Sequence, residues 1–225
     1  MNLIHQDFAW CVRRLPESVR NLMKDTGESV FLAGGFIRDC ISGAKPSDID
    51  LFSPSKDLAR QYAEKIHQAE GGRAKLIETD NAFTITGRLP IQFIHRWTFK
   101  NAFEVIDSFD FTIARAVIWC QDGRWESFCD DRFYPDLAAK RLVYCQPERH
   151  EDVGGSLLRV LKFYQRGYRI PLDSLSAVIT RMVHGLDRDA EADVLAASIL
   201  VKLREVDPMV DPTHVAHLPA EESAS

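Results

Sequence analysis

A chain of 225 residues with 28 Lys and Arg against 33 Asp and Glu carries a formal net charge of −5, which argues against a protein that coats nucleic acid nonspecifically. Hydrophobic residues make up 45% and charged residues 27%, the balance of a globular protein with room for one large domain or a domain plus a helical appendage. No apolar run approaches the roughly 18 residues of a membrane span, and the start Met1-Asn2-Leu3-Ile4-His5-Gln6-Asp7 lacks the basic and apolar regions of a secretory signal, so no membrane partner is expected.

Pro16 followed by apolar positions at helical spacing predicts a helix over 16–25. Ser29 to Ala33 reads as a short buried strand, broken by Gly34-Gly35, and the chain restarts as a helix from Phe36 to Ser42. Asp48-Ile49-Asp50-Leu51-Phe52 alternates acid and apolar side chains, the period of a strand. A helix near 56–70 follows and stops at Gly71-Gly72. Three further strands are expected at 74–79, 82–86 and 91–95, separated by turns, and another at 111–119 before the turn Gln121-Asp122-Gly123. Beyond about residue 130 the pattern is mainly helical, clearest over 157–166, 175–183 and 190–206. The sequence thus predicts an α/β domain to about residue 140, a helical domain over 141–206 and a frayed tail over 207–225.

Five cysteines (Cys11, Cys40, Cys120, Cys129 and Cys145) stand singly, which argues for reduced thiols and a cytoplasmic protein. Charge is polarised along the chain. Between Ala138 and Ile170, seven basic residues (Lys140, Arg141, Arg149, Arg159, Lys162, Arg166 and Arg169) meet three acidic ones, Glu148, Glu151 and Asp152.

The chemistry concentrates at 32–51. Two glycines between a strand and a helix let the backbone approach a ligand, and the N–H groups opening the helix then face an anion. Residues i and i+2 of a strand share a side, so Asp48 and Asp50 project together while Ile49 and Leu51 face the core. Paired carboxylates repel unless a cation lies between them. Mg²⁺ suits such a pair, because it takes one or two carboxylates plus substrate phosphates.

This segment resembles the signature of the polymerase-β-type nucleotidyltransferase superfamily. Gly34-Gly35-Phe36-Ile37-Arg38-Asp39 is similar to the head of class II CCA-adding enzymes and bacterial poly(A) polymerases. Phe83-Thr84-Ile85-Thr86 resembles the next strand, Asp110-Phe111-Thr112-Ile113 a later motif, and Asp136-Leu137 with Lys140 a further landmark. Arg159 to Phe163 and Arg166 to Ile170 resemble the neck helix. The resemblance implies an α+β fold: a mixed sheet flanked by helices as the head, then a small helical neck and body. It implies that Gly34 and Gly35 hold a nucleoside triphosphate, with Arg38 pairing with phosphate or with Asp39 to order the turn. Asp48 and Asp50 are implied as catalytic ligands of two Mg²⁺ ions, Asp110 as the ribose contact, and Arg159 and Lys162 as contacts to the base or its phosphates.

The chain also departs from that pattern. Ser108-Phe109 stand where the family has two arginines, Ala114 where it has asparagine, and Gln92 where a third carboxylate is expected. The acid pair that reads the base edge falls on Gly155-Ser156, and Glu151-Asp152 lie four residues too early. Three functions follow: an enzyme adding nucleotides to an RNA 3′ end such as that of tRNA; a defence or toxin-type nucleotidyltransferase modifying tRNA, a protein hydroxyl or a small molecule; or a catalytically weak nucleotide- or RNA-binding module.

Overall fold

The structure, a computed structural model, describes residues 1–71, 74–145, 154–184, 186–187 and 189–204. Gly72, Glu148, Arg149, Glu151, Asp152 and the expected tail 207–225 lie outside the described residues. The chain divides into two compact units, Met1–Glu148 and Arg149–Ser225.

The first unit opens with α1 (His5–Arg14) and α2 (Glu17–Thr26). Strand β1 (Phe31–Ala33) leads directly into α3 (Gly35–Ile41). Strand β2 (Ile49–Phe52) is followed by α4 (Lys56–Ala69), whose start is capped by the Ser55 hydroxyl accepting from the Leu58 N–H at 3.2 Å. Strands β3 (Leu76–Glu78), β4 (Ala82–Ile85) and β5 (Ile91–Ile94) come next. Then α5 (Ala102–Asp107) begins at Asn101, whose side chain accepts from the N–H groups of Phe103 and Glu104, both at 3.0 Å. The hairpin of β6 (Ala116–Gln121) and β7 (Arg124–Cys129) and the short α6 (Phe133–Ala138) complete the elements. Helices α1 and α5 and strand β7 are additions to the elements expected from sequence. The expected strand at 111–119 is divided: residues 112–114 form a 3-10 turn and the strand begins only at Ala116.

One seven-stranded sheet runs in the order β3-β4-β5-β2-β1-β6-β7. Neighbours are antiparallel except β2 and β5, which are parallel, so the sheet is mixed. The register builds two adjacent cross-strand rows. The first is Phe83-Phe93-Leu51-Leu32-Ile118, all at 1% exposure or less. Tyr62 of α4 meets this face at Phe93, ring centroids 6.4 Å apart. One residue along, and therefore on the opposite face, Thr84, Gln92 and Asp50 line up, followed by Ala33 and Val117. The apolar end of this second row lies under α5, where Phe31, Ala33, Phe52 and Val117 pack with Ala102, Val105 and Ile106. Thr84, Gln92 and Asp50 are only half-buried. Among the described residues, no helix is long and apolar enough to cross a membrane.

Asp136 explains the break at 112–114. Its carboxylate has no exposure and accepts from the Thr112 hydroxyl at 2.7 Å, Arg141 Nε at 2.8 Å and Arg132 Nη2 at 3.2 Å. This pulls Thr112 out of the strand line. The strip 143–145 then closes over the segment: Thr112 N–H donates to Val143 O at 3.1 Å, Cys145 N–H to Asp110 O at 2.8 Å, and Phe111 bridges Tyr144.

The second unit contains α7 (Gly155–Gln165), α8 (Leu172–Val183) and α9 (Ala192–Arg204). Leu158 of α7 packs on Leu203 of α9. Gly154 is required by space rather than by backbone angle, since a Cβ there would stand 2.8 Å from the Lys202 carbonyl oxygen.

Replacing Asp136 by Ala leaves the Thr112 hydroxyl buried without its acceptor and two arginines without their counter-charge, although both arginines are half exposed and can turn to water. The expected loss is about 3 kcal/mol, measurable by urea unfolding.

Candidate active site

At the end of β1 the chain reverses through Gly34, whose φ of 75° and ψ of −124° suit glycine alone. Its N–H donates to Ala116 O at 3.3 Å and its carbonyl accepts from the Arg38 N–H at 3.2 Å. A Cβ on Gly34 would stand 3.0 Å from two ring carbons of Phe109. Helix α3 therefore starts without a side-chain cap, and the N–H groups of its first turn have no partner within the helix.

Arg38 and Asp39 lie behind this turn rather than out in solvent. Arg38 Nε donates to Asp39 Oδ1 at 2.7 Å, and each side chain is only 9% exposed. The guanidinium also reaches back to the turn: a Cβ on Gly35 would lie 3.5 Å from Arg38 Nη2. Of the two roles considered for Arg38, the geometry displays the pairing with Asp39. A second buried pair backs the helix. The thiols of Cys11 on α1 and Cys40 on α3 interact. That interaction, with burial, holds Cys11 far above the ordinary thiol range, while Cys40 is lowered. All five cysteines are free thiols.

Strand β2 delivers the acids. Burial alternates from Asp48 to Leu51: Ile49 and Leu51 are fully buried, while Asp48 and Asp50 are half-buried on the other side. Ile49 is fixed by its N–H donating to Pro90 O at 2.9 Å and by pairing with Ile91. Extending the β1–β2 register by one residue sets Asp50 beside Ala33, the residue before the Gly34 turn. On its other flank Asp50 pairs with Gln92, and Gln92 with Thr84. The glycine turn and the acids thus share one edge of the open face. Asp110 is buried, its carbonyl accepting from Cys145 of the strip 143–145, and it directly follows Phe109, whose ring covers Gly34. Arg159, half-buried, and Lys162, exposed, lie three apart on α7 in the second unit. Gly155 and Ser156 on the same helix are buried and offer no carboxylate.

The donor set fits a hard divalent cation that completes its shell with phosphate and water. Asp48 and Asp50 supply two carboxylates, and the neighbour on β5 is a neutral amide. Among the described residues, no group of three or more His, Cys, Asp or Glu side chains comes together as a metal cage. Sequence reasoning did not anticipate that Thr84 and Phe109 belong to this neighbourhood. The alternation Phe83-Thr84-Ile85 held the signal for Thr84. Phe109 was visible only as an absent arginine.

The chain is similar to solved CCA-adding enzymes. With the Thermotoga maritima CCA-adding enzyme complexed with tRNA it shares 20% identity at a TM-score of 0.58, covering 90% of this chain and 51% of that one. With a CCA-adding enzyme in complex with ATP the values are 21%, 0.60, 90% and 52%. With a tRNA-processing enzyme in an apo form they are 18%, 0.57, 85% and 55%. The chain therefore spans about half the length of the enzymes it matches, and over that part it shares their fold. No curated protein matches it. The chain belongs to the Gad2, or Gabija anti-defense 2, family, whose model matches residues 3–140.

Replacing Gly34 by Ala forces a side chain into a glycine-only conformation and against the Phe109 ring. The expected cost is about 1–3 kcal/mol in urea unfolding. Inorganic tripolyphosphate binding, measured by calorimetry on the folded fraction, is expected to be lost.

Proposed function

We propose that this protein is a metal-dependent nucleotidyltransferase that moves a nucleoside monophosphate from a nucleoside triphosphate to a hydroxyl acceptor, releasing pyrophosphate. The observation that carries this reading is the placement of Asp48 and Asp50 beside the Gly34 turn, on the open face of a nucleotidyltransferase sheet. Asp48 and Asp50 would hold two Mg²⁺ ions, which would supply electrostatic stabilisation of the charge that develops during phosphoryl transfer. The first turn of α3 orients the triphosphate through backbone N–H groups. Arg38, locked by Asp39, keeps that turn in shape. Asp110 accepts from a ribose hydroxyl. The acceptor hydroxyl attacks the α-phosphorus in line, the bond to the bridging oxygen breaks, and pyrophosphate leaves.

For the acceptor we favour an RNA 3′ end, tRNA first, in keeping with the tRNA complex of a structural relative. A second reading is supported by the family match: nucleotidyl transfer directed against a defence system, with tRNA, a protein hydroxyl or a small molecule as acceptor. Gly155-Ser156 on α7, standing where an acid pair is expected, lends support to this second reading.

Incubation with α-labelled ATP or CTP, Mg²⁺ and total tRNA or cell lysate separates these readings. Label added at an RNA 3′ end supports the first; label on a protein, on a small molecule or elsewhere on tRNA supports the second. Asp48→Asn and Asp50→Asn are each expected to lower transfer about 10³-fold while leaving the unfolding midpoint near that of the wild type. Transfer that survives both substitutions sinks the proposal.

A further inference from the structure

We propose that Phe109 is the surface against which the nucleoside of the incoming triphosphate packs. This rests on the nucleotidyltransferase reading above and deepens it. The Phe109 ring is half-buried against the apolar cluster under α5, so part of it stays open. Its N–H donates to Ile106 O at 3.1 Å, anchoring it to the end of α5. Its ring lies against Gly34, where a Cβ would be 3.0 Å away, and meets Phe52 edge-on with centroids 6.0 Å apart and planes at 89°. Phe52 is the next residue after Asp50 on the same face of β2, and Phe99 braces it at 5.7 Å. The half-open ring therefore stands between the glycine turn and the strand that carries the acids.

Its chemistry selects what it touches. The face of a phenyl ring is electronegative, so it gains nothing from a phosphate. A ribose or base presents an apolar or π surface that packs on a ring without hydrogen-bond readout, and so without strong preference among bases. Asp110, the residue immediately following, is the candidate ribose contact. Triphosphate and nucleoside would then be held by different devices, backbone N–H groups for one and an aromatic wall for the other.

The test compares ATP, CTP and inorganic tripolyphosphate, each with Mg²⁺, by titration calorimetry. Phe109→Leu is expected to weaken ATP and CTP about tenfold while tripolyphosphate stays within about twofold. Phe109→Tyr, which keeps the ring, is expected to bind all three within about twofold of wild type. Phe109→Met provides the same contrast should Leu disturb the packing on Phe52. Equal weakening of all three ligands overturns the inference, because the ring then acts only by shaping the turn. Unchanged nucleotide binding in Phe109→Leu overturns it as well. Wild-type protein that binds tripolyphosphate as tightly as it binds ATP and CTP overturns this inference alone. Wild-type protein that binds none of the three overturns the nucleotidyltransferase reading with it.

Discussion

The register of β2 between β1 and β5 governs the candidate site. Successive side chains of a strand point to opposite faces, so a slip of one residue would drive Asp50 into the position of fully buried Leu51 and expose Leu51 in its place. The row Phe83-Phe93-Leu51-Leu32-Ile118 prevents this. Each such side chain stabilises the fold by about 1.5–3 kcal/mol when buried, and an unpaired carboxylate in that row would cost more than any one of them contributes. The apolar residues thus hold the acids in place, and the acids themselves do little for stability.

The same economy applies around the turn. Arg38 is held by Asp39, Gln92 is neutral, and Ser108-Phe109 bring no charge where two arginines are expected. The groups around the Gly34 turn are then mostly dipoles and an aromatic ring. On the proposed reading, a cation at Asp48 and Asp50 would supply most of the countercharge for phosphate. Asp136 acts at one remove: by holding Thr112 and, through Arg141, the strip 143–145, it fixes the segment from which Asp110 and Phe109 extend.

The sequence made the central strands and the acid pair legible because period and chemistry coincide there, as in Asp48-Ile49-Asp50-Leu51. It hid elements whose local pattern is broken by a tertiary partner. Strand β7 reads poorly because its buried Ser127 faces inward, where its hydroxyl accepts from the Leu3 N–H at 3.3 Å. Helix α1 buries only Cys11 and so carries a thin apolar stripe. Residues 111–114 have strand-like composition, yet a carboxylate 24 positions later than Thr112 bends them into a turn. The short α5 did have a signal, Asn101 followed three residues on by Glu104, whose carboxylate returns to the Asn101 amide at 3.0 Å. The place of Phe109 over Gly34 has no local signature, because the contact joins segments far apart in the chain.

The parallel pairing of β2 with β5 has a consequence in time. No hairpin can join parallel strands, so α4, β3 and β4 must all intervene before Asp50 meets Gln92. Closing that long excursion loses chain entropy before it gains contacts, which makes this pairing a late event in folding. A growing chain that has emerged only as far as β4 already carries the Gly34-Gly35 turn and both aspartates, but not the strand that fixes their register. The two aspartates therefore take their final register only when the sheet closes.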